Sequence, residues 1–202
     1  MSREYDIVVA RYNEDIQWLA PLADKCVVYN KGQPLGLPGE RMRTNVGLES
    51  ETYLHYVIDN YNNLPDYVVF TQGKISDHRG SDSVDHILQM LEEAKLYGKS
   101  VPLVNTATNG DWVWQPDWNR HMQGDYKNNV FIVFEDWFTM HVRPTFPRPM
   151  LVYSNALFAV KKELILANSL EYYEKLVQET NHSVKPIEAH FFERSWYYIF
   201  QS

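Results

Sequence analysis

The sequence has little of what secreted, membrane-spanning or nucleic-acid-binding proteins need. Its single cysteine, Cys26, cannot form an internal disulfide, which favours a reducing compartment. Its apolar runs are too short for a signal peptide or a membrane span. The net charge of −7 argues against broad affinity for nucleic acid or anionic membranes, because phosphates are held mainly by positive charge. We therefore expect a cytoplasmic protein without a membrane span and without nucleic-acid partners.

Three short β-branched and aromatic runs alternate with helical patterns in the first half of the chain. The runs YDIVVA (5–10), KCVVYN (25–30) and DYVVFT (66–71) predict buried strands. Helical patterns begin near residue 14 in EDIQWLAPL, in ESETYLHYVIDNY, and in SDSVDHILQMLEEAKLYGK, where Ser81 or Ser83 is the expected cap and Gly98 follows the end. This alternation predicts an α/β fold with a central, mostly parallel sheet flanked by helices.

The second half is less regular. Residues 105–128 have no periodicity and predict a long loop. FEDWFTMHVRPTFPRP predicts a short helix and a proline-rich turn, LVYSNALFAV a strand with a polar interruption, and the residues after it one long helix. The last helix is expected at residues 186–200.

Polar residues follow each of the three predicted strands. These strand ends are Arg11-Tyr12-Asn13-Glu14-Asp15, Asn30-Lys31-Gly32 and Gln72-Gly73-Lys74. Loops are generally polar because they are solvated, which explains any one of them. Three together indicate a ligand site, because ligands of parallel sheets bind beyond the carboxyl ends of the strands.

The long loop contains half of the chain's tryptophans. Trp112, Trp114 and Trp118 lie beside Asp111 and Asp117. Their aromatic faces suit the C–H faces of sugar rings, but they are equally consistent with a loop packed onto the core by its own side chains.

The last helix carries two kinds of charged position. His190, Glu193 and Arg194 share one polar arc, whereas Glu188 falls on the apolar face. A carboxylate on an apolar face needs a partner or a metal, unless it reaches solvent in the first helical turn. Both interpretations of Glu188 stay open from the sequence.

Several segments together resemble a family of domains of uncharacterised function that occurs in algae, plants, fungi and large viruses. The segments are VVARYNEDIQWL, VVYNKG, NVGLESETYLHYVIDNYNNLPDYVVFTQG with the following Asp-His pair, SNALFAVKKELI and HFFERSWYYIF. Within it, the sequence is similar to an amino-terminal glycosyltransferase domain of a chlorella-virus protein that takes part in capsid glycan synthesis. The resemblance implies that residues 1–202 are one domain, the amino-terminal part of a longer protein, in the host cytoplasm.

The resemblance also implies a GT-A fold, that is, a Rossmann-like α/β domain with a mixed, mostly parallel central sheet. It implies a glycosyltransferase that moves a hexose or deoxyhexose, such as glucose or rhamnose, from a UDP-sugar to a glycan with the help of Mn²⁺ or, alternatively, Mg²⁺. The Asp-x-Asp motif that usually marks the metal site is missing after DYVVFT, and the nearest equivalents are Asp77-His78 and the Asp82/Asp85 pair. We expect Asp77 to bind the metal, together with His78 or His190.

Transfer of a glycosyl group from a nucleoside diphosphate builds negative charge on the departing phosphate. The candidates that bind the donor are Arg11, Tyr12, Lys31, Gln72, Lys74, Arg79 and Arg194, of which Arg11 and Tyr12 are best placed for the uridine. The candidates for a general base are Asp111, Asp117, Asp136 and Glu188, with Asp111 and Glu188 preferred.

Two other classes are compatible with these residues. A noncatalytic carbohydrate-binding module would use the tryptophan loop without a nucleotide or a metal. A metal hydrolase could use Asp77, His78 and His190, but the sequence has no paired-histidine motif of a catalytic zinc site.

Overall fold

The computed structural model describes residues 3–105 and 134–200, and these form an α/β fold around a five-stranded sheet. The strands of the main sheet lie in the order β3-β2-β1-β4-β7, parallel except for the antiparallel edge strand β7. Strands β5 and β6 form a separate antiparallel pair. The strands are β1 Tyr5–Arg11, β2 Cys26–Asn30, β3 Arg41–Met42, β4 Tyr67–Gln72, β5 Leu103–Asn105, β6 Met150–Val152 and β7 Phe158–Lys161. This confirms the predicted mixed, mostly parallel, Rossmann-like sheet.

Helices cover both faces of the main sheet. They are α1 Leu48–Asn60, α2 Ser76–Arg79, α3 Val84–Tyr97, α4 Phe134–His141, α5 Lys162–Leu166, α6 Leu170–Gln178 and α7 Ile187–Ile199, with 3-10 turns at Gln17–Lys25, Tyr61–Asn63 and Ser154–Ala156. Within the described residues, none of the helices has the length and apolar character needed to cross a membrane.

The two faces of the sheet pack against different helices because side chains alternate along each strand. Val8 and Phe70 face the larger core, which contains α1 and α7, whereas Ile7, Val9 and Val69 face a smaller core that includes α3. The continuous apolar runs of the sequence are thus explained by burial on both sides.

Helix α3 begins and ends as its sequence predicts. The Ser83 hydroxyl accepts a hydrogen bond from the backbone N–H of Asp85 at 3.2 Å, so Ser83 rather than Ser81 is the cap. Gly98 follows the last turn with φ +82°, and its N–H donates to the Ala94 carbonyl.

Three predicted elements are corrected by the structure. The helix expected from residue 14 is a kinked 3-10 segment, Gln17–Lys25, because Pro21 lies inside it and Leu22 has non-helical angles. LVYSNALFAV forms two strands in different sheets, since Asn155 and Ala156 adopt positive φ between them. The long helix after it is two helices, and Ser169 caps the second.

The chain changes direction across the sheet between β1 and β4. Strands β2 and β3 follow on one side of β1, whereas β4 pairs with its other side. Ala10 lies beside Gln72 at the carboxyl ends of these two strands. In sheets of this type, the crevice at such a reversal is where ligands bind.

A buried carboxylate, Glu51, fixes the start of α1 to two neighbouring strands. Its side chain, only 2% exposed, pairs with Lys31 at 2.8 Å, with Arg43 and with His55 at 3.2 Å. Lys31 follows β2 and Arg43 follows β3, so one carboxylate joins three elements. Arg43 and Lys31 lower the pKa of Glu51, although burial acts to raise it.

We expect Glu51→Gln to lower the free energy of unfolding by about 3 kcal/mol, because it leaves the Lys31 ammonium buried without a full counter-charge. Urea unfolding monitored by circular dichroism measures the loss. The matched control is Glu171→Gln, which removes an exposed carboxylate from an i,i+4 pair with Lys175 and should change nothing measurable. Equal unfolding curves for the two variants would contradict the role given to Glu51.

Candidate functional site

A small open cavity lies where the chain reverses across the sheet. Its volume is about 130 Å³. Strand β1 contributes Ala10 and β4 contributes Gln72, while the first turns of α1 form the opposite wall through Leu48 and Glu49. Arg11, Lys31 and Gln72, from the three strand ends predicted to meet at one edge of the sheet, all line this cavity.

The strand-end loops approach each other closely at this edge. The Lys31 N–H donates to the Arg11 carbonyl at 2.8 Å, and the Gly73 N–H donates to the Ala10 carbonyl at 2.9 Å. A Cβ atom on Gly32 would lie 1.6 Å from the Tyr12 carbonyl oxygen. Only glycine fits at that point, so the loop after β2 packs directly against the loop after β1.

The carboxyl group of Glu49 is the most perturbed acid in the cavity wall. Glu49 occupies the first turn of α1 and is partly buried. Burial raises the pKa of Glu49 to about 7, and the negative charge of Glu193 adds to the rise. An acid with this pKa exchanges a proton readily near neutral pH. Sequence reasoning missed Glu49, since an acidic residue in a first helical turn is common and gives no signal of burial.

Glu193 has the opposite electrostatic setting. Burial acts to raise its pKa, but the neighbouring His190 imidazole and the charge of Arg194 lower it overall. The His190 Nδ1 lies 3.8 Å from the Glu193 carboxylate. The structure therefore holds two carboxylates within electrostatic range of each other. Glu49 has a pKa near neutral pH, whereas the pKa of Glu193 is lowered, so Glu193 is ionised. Two carboxylates whose pKa values are shifted apart are common at acid–base sites.

Two cationic side chains predicted to bind the donor instead make contacts with oxygen atoms of the protein. The guanidinium of Arg11 is buried and donates to the carbonyl oxygens of Glu14, Tyr12 and Gln33 and to the Asn30 side chain at 2.8 Å. It closes the strand-end loops on one another. Arg11 therefore has a structural role that the sequence did not indicate.

Lys31 is similarly engaged. Its ammonium donates to the carbonyl oxygens of Val46 and Leu48 and lies 2.8 Å from the Glu51 carboxylate. Burial lowers the pKa of Lys31, whereas the lowered pKa of Glu51 favours an ion pair. Because three acceptors surround the nitrogen, we assign the charged ammonium form. Lys31 lines the cavity, but its ammonium is bound to groups at the start of α1.

Tyr12 and Gln72 do lie at the cavity, as predicted. The Tyr12 side chain is 50% exposed, and Gln72 donates from its side-chain amide to the Asn155 carbonyl at 3.1 Å. Tyr12 thus offers an accessible aromatic face beside the partly buried acid Glu49.

The loop after β4 forms the short helix α2. Asp77, His78 and Arg79 lie on it and are exposed. The Asp77 carboxylate pairs with Lys74 at 2.7 Å. Asp82 accepts hydrogen bonds from the backbone N–H groups of Ile75 and Ser76 and thereby closes the loop.

The predicted metal ligands Asp77, His78 and His190 are not brought together as a metal site. Among residues 3–105 and 134–200, no group of three or more His, Cys, Asp or Glu side chains is arranged to hold a metal ion. Mn²⁺ binding stays a prediction.

The remaining predicted residues have separate settings. Glu188 is buried, and its carboxylate lies 3.3 Å from His182 Nε2, so it does not reach solvent in the first turn of α7. Arg194 donates to the His190 carbonyl at 2.7 Å. Asp136 lies in α4. Asp111, Asp117 and the tryptophans of the predicted loop lie outside the described residues.

Comparison with known proteins identifies a family without assigning an activity. The family model described as "Protein of unknown function (DUF3431)" matches residues 7–202, nearly the whole chain. No curated protein and no solved structure matches the sequence.

The raised pKa of Glu49 predicts a specific dependence of stability on pH. Between the ordinary glutamate pKa of 4.5 and about 7, the unfolded chain ionises before the folded protein does. The free energy of unfolding should therefore fall as pH rises through this range. Glu49→Gln removes this contribution. Between about pH 5 and about pH 8, the free energy of unfolding of the variant should therefore rise by about 1 kcal/mol or more relative to that of wild type.

Urea unfolding of both proteins at the two pH values measures this difference. Glu171→Gln serves as the control, because Glu171 is exposed on α6 and should preserve the wild-type pH dependence. A constant difference between Glu49→Gln and wild type at all pH values would show that Glu49 titrates normally.

Proposed function

We propose that this chain, which belongs to the DUF3431 family of unknown function, is a glycosyltransferase that moves a hexose or deoxyhexose from a UDP-sugar to a glycan acceptor. One observation carries the proposal: the cavity at the β1/β4 reversal contains an acid, Glu49, whose pKa is about 7. A general base for an acceptor hydroxyl needs a pKa near the working pH.

Glu49 takes the part that the sequence suggested for Asp111 or Glu188. It lines the cavity, whereas Glu188 is buried beside His182. In the proposed reaction, the acceptor oxygen bonds to the anomeric carbon while the bond from that carbon to the phosphate oxygen breaks. The Glu49 carboxylate accepts the hydroxyl proton, and the leaving UDP keeps the bonding electrons.

The small cavity suits a neutral sugar better than a phosphate group. Glu14 and Glu49 line it, and its two cations, Arg11 and Lys31, are already bound to protein oxygens. Tyr12 supplies an exposed aromatic face against which a sugar or a base can stack. We therefore place the transferred sugar near Glu49.

The diphosphate belongs on the side of the cavity where cations are exposed. Lys74 and Arg79 follow β4 on the surface, and Lys74 is held by a single exposed pair with Asp77. Exposed pairs of this kind exchange at little cost, so a phosphate can compete for Lys74. Arg194 is partly buried on α7 and contacts Glu193, which makes it a weaker candidate.

We expect UDP-glucose with Mn²⁺ to raise the melting temperature more than UDP-glucose alone in a panel of nucleotides and sugar nucleotides. A ligand at about a hundred times its dissociation constant adds about 2.7 kcal/mol of stability. Asp77→Ala should remove the metal-dependent part of the shift, while Glu171→Ala, at an exposed acid on α6, should keep it. A metal-independent response of equal size would contradict the proposed metal requirement.

Glu49→Gln should lower the rate of glycosyl transfer by about 100- to 10,000-fold while leaving the dissociation constant of UDP-glucose unchanged. The rate is followed as UDP release in the presence of acceptor glycans. Glu171→Gln, on the exposed face of α6, should keep the wild-type rate. Glycan binding that needs no nucleotide and produces no UDP would instead indicate the alternative, a noncatalytic carbohydrate-binding module.

A further inference from the structure

A second, larger cavity opens beside the first one. Its volume is about 890 Å³, within the range of small-molecule sites. It lies between the 3-10 segment Gln17–Lys25, strand β2 and the loop of residues 33–40. We call it the leucine groove, because Leu19 and Val28 form its floor and Leu35 and Leu37 its outer wall.

The outer wall exposes apolar surface to solvent. Leu35 is 40% exposed and Leu37 is 44% exposed. Glu40 holds their loop in place by accepting hydrogen bonds from the backbone N–H groups of Leu35 and Gly36. The groove is therefore a shaped surface with an anchored wall, and its exposed leucines would gain from covering by an apolar ring.

Charged residues around the groove are mostly acidic. Glu14, Asp15, Asp24 and Glu40 line it, and Arg11 is its only cation among the described residues. All of the Arg11 contacts go to protein oxygens, namely three carbonyls and the Asn30 side chain. An anionic ligand would thus meet four carboxylates, of which Asp24 is paired with Lys25 at 3.0 Å, and a guanidinium whose Nε and Nη1 already donate to protein oxygens.

We propose that the leucine groove is a binding site for a small molecule with an apolar ring that is neutral or positively charged, and that it rejects anions. The apolar floor and wall contact the ring, and the carboxylates accept hydrogen bonds from hydroxyl or ammonium groups at its edge. This site goes beyond the proposed transfer reaction and does not depend on it.

Three indole derivatives with one ring and different charges test the proposal: tryptamine (positive), tryptophol (neutral) and indole-3-acetate (negative). Equilibrium dialysis against the full chain measures their dissociation constants. Tryptamine and tryptophol should bind, each at least about tenfold more tightly than indole-3-acetate, a difference of about 1.4 kcal/mol.

Cys26 reports where the probes bind. It lines the groove, is half-buried and is the only cysteine in the chain, so alkylation by a maleimide can be followed by intact mass. Burial raises the pKa of Cys26 to about 12, which makes the reaction slow enough to follow over time. Bound tryptamine or tryptophol should slow it further, whereas indole-3-acetate at the same concentration should not.

A groove-filling variant provides the second arm. Ala20 is exposed and lines the groove, so Ala20→Trp should weaken tryptamine binding at least about tenfold in dialysis. Ala23→Trp replaces it if the first variant has a lowered melting temperature. Ala167→Trp, at an exposed alanine after α5, is the matched control and should bind as wild type.

Three results would overturn the proposal. They are no binding of any probe to the wild-type protein, equal binding of all three probes, and unchanged binding of tryptamine to the groove-filling variant. Transfer activity in the absence of probe binding would leave the proposed function standing and remove the leucine groove as a site. Probe binding without transfer activity would do the reverse.

Discussion

The ion pair between Glu51 and Lys31 is the contact on which the arrangement of the site depends. Helix α1 begins at Leu48 without a side-chain cap, after Gly47 in the left-handed region. The Lys31 ammonium satisfies the carbonyl oxygens of Val46 and Leu48 while it pairs with Glu51. Since Lys31 follows β2, this contact ties the start of α1 to the sheet edge and sets the place of Glu49.

Gly47 shows how closely this helix start is packed. A Cβ atom there would lie 2.6 Å from the Thr180 carbonyl oxygen and equally near Glu51 Cβ. The Gly47 N–H donates to the Ser183 carbonyl at 2.9 Å, from the loop that precedes α7. The start of α1 is thus held from the sheet on one side and from the α6–α7 loop on the other.

The strand-end cations illustrate how a fold can use residues that resemble a binding site. Arg11 and Lys31 lie where phosphate-binding residues would be expected in an α/β protein. Both are bound to protein oxygens and shape the cavities that they line. The two cavities share Arg11 and Glu14; the smaller one is lined by two carboxylates and two cations, the larger one by four carboxylates and one cation. In the proposed reaction, the diphosphate therefore relies on the exposed cations after β4.

The sequence by itself determined the parallel strands β1, β2 and β4, the helices that flank them and the edge where ligands are expected. Local patterns suffice for this, because burial on both faces produces continuous apolar runs and Ser83 and Gly98 act within one helix. The pattern misjudged the segment around Pro21 and the turn at Asn155, where backbone geometry overrides periodicity.

Only the tertiary structure decided which polar residues lie close together and which are bound to other groups of the protein. Glu49, Glu193 and Lys31 come from three elements, and no spacing along the chain relates them. Burial raises the pKa of Glu49 and lowers that of Lys31, and this burial depends on contacts across the whole fold. Residue type and local order reveal which chemical groups are present, but their protonation and availability follow from three-dimensional packing.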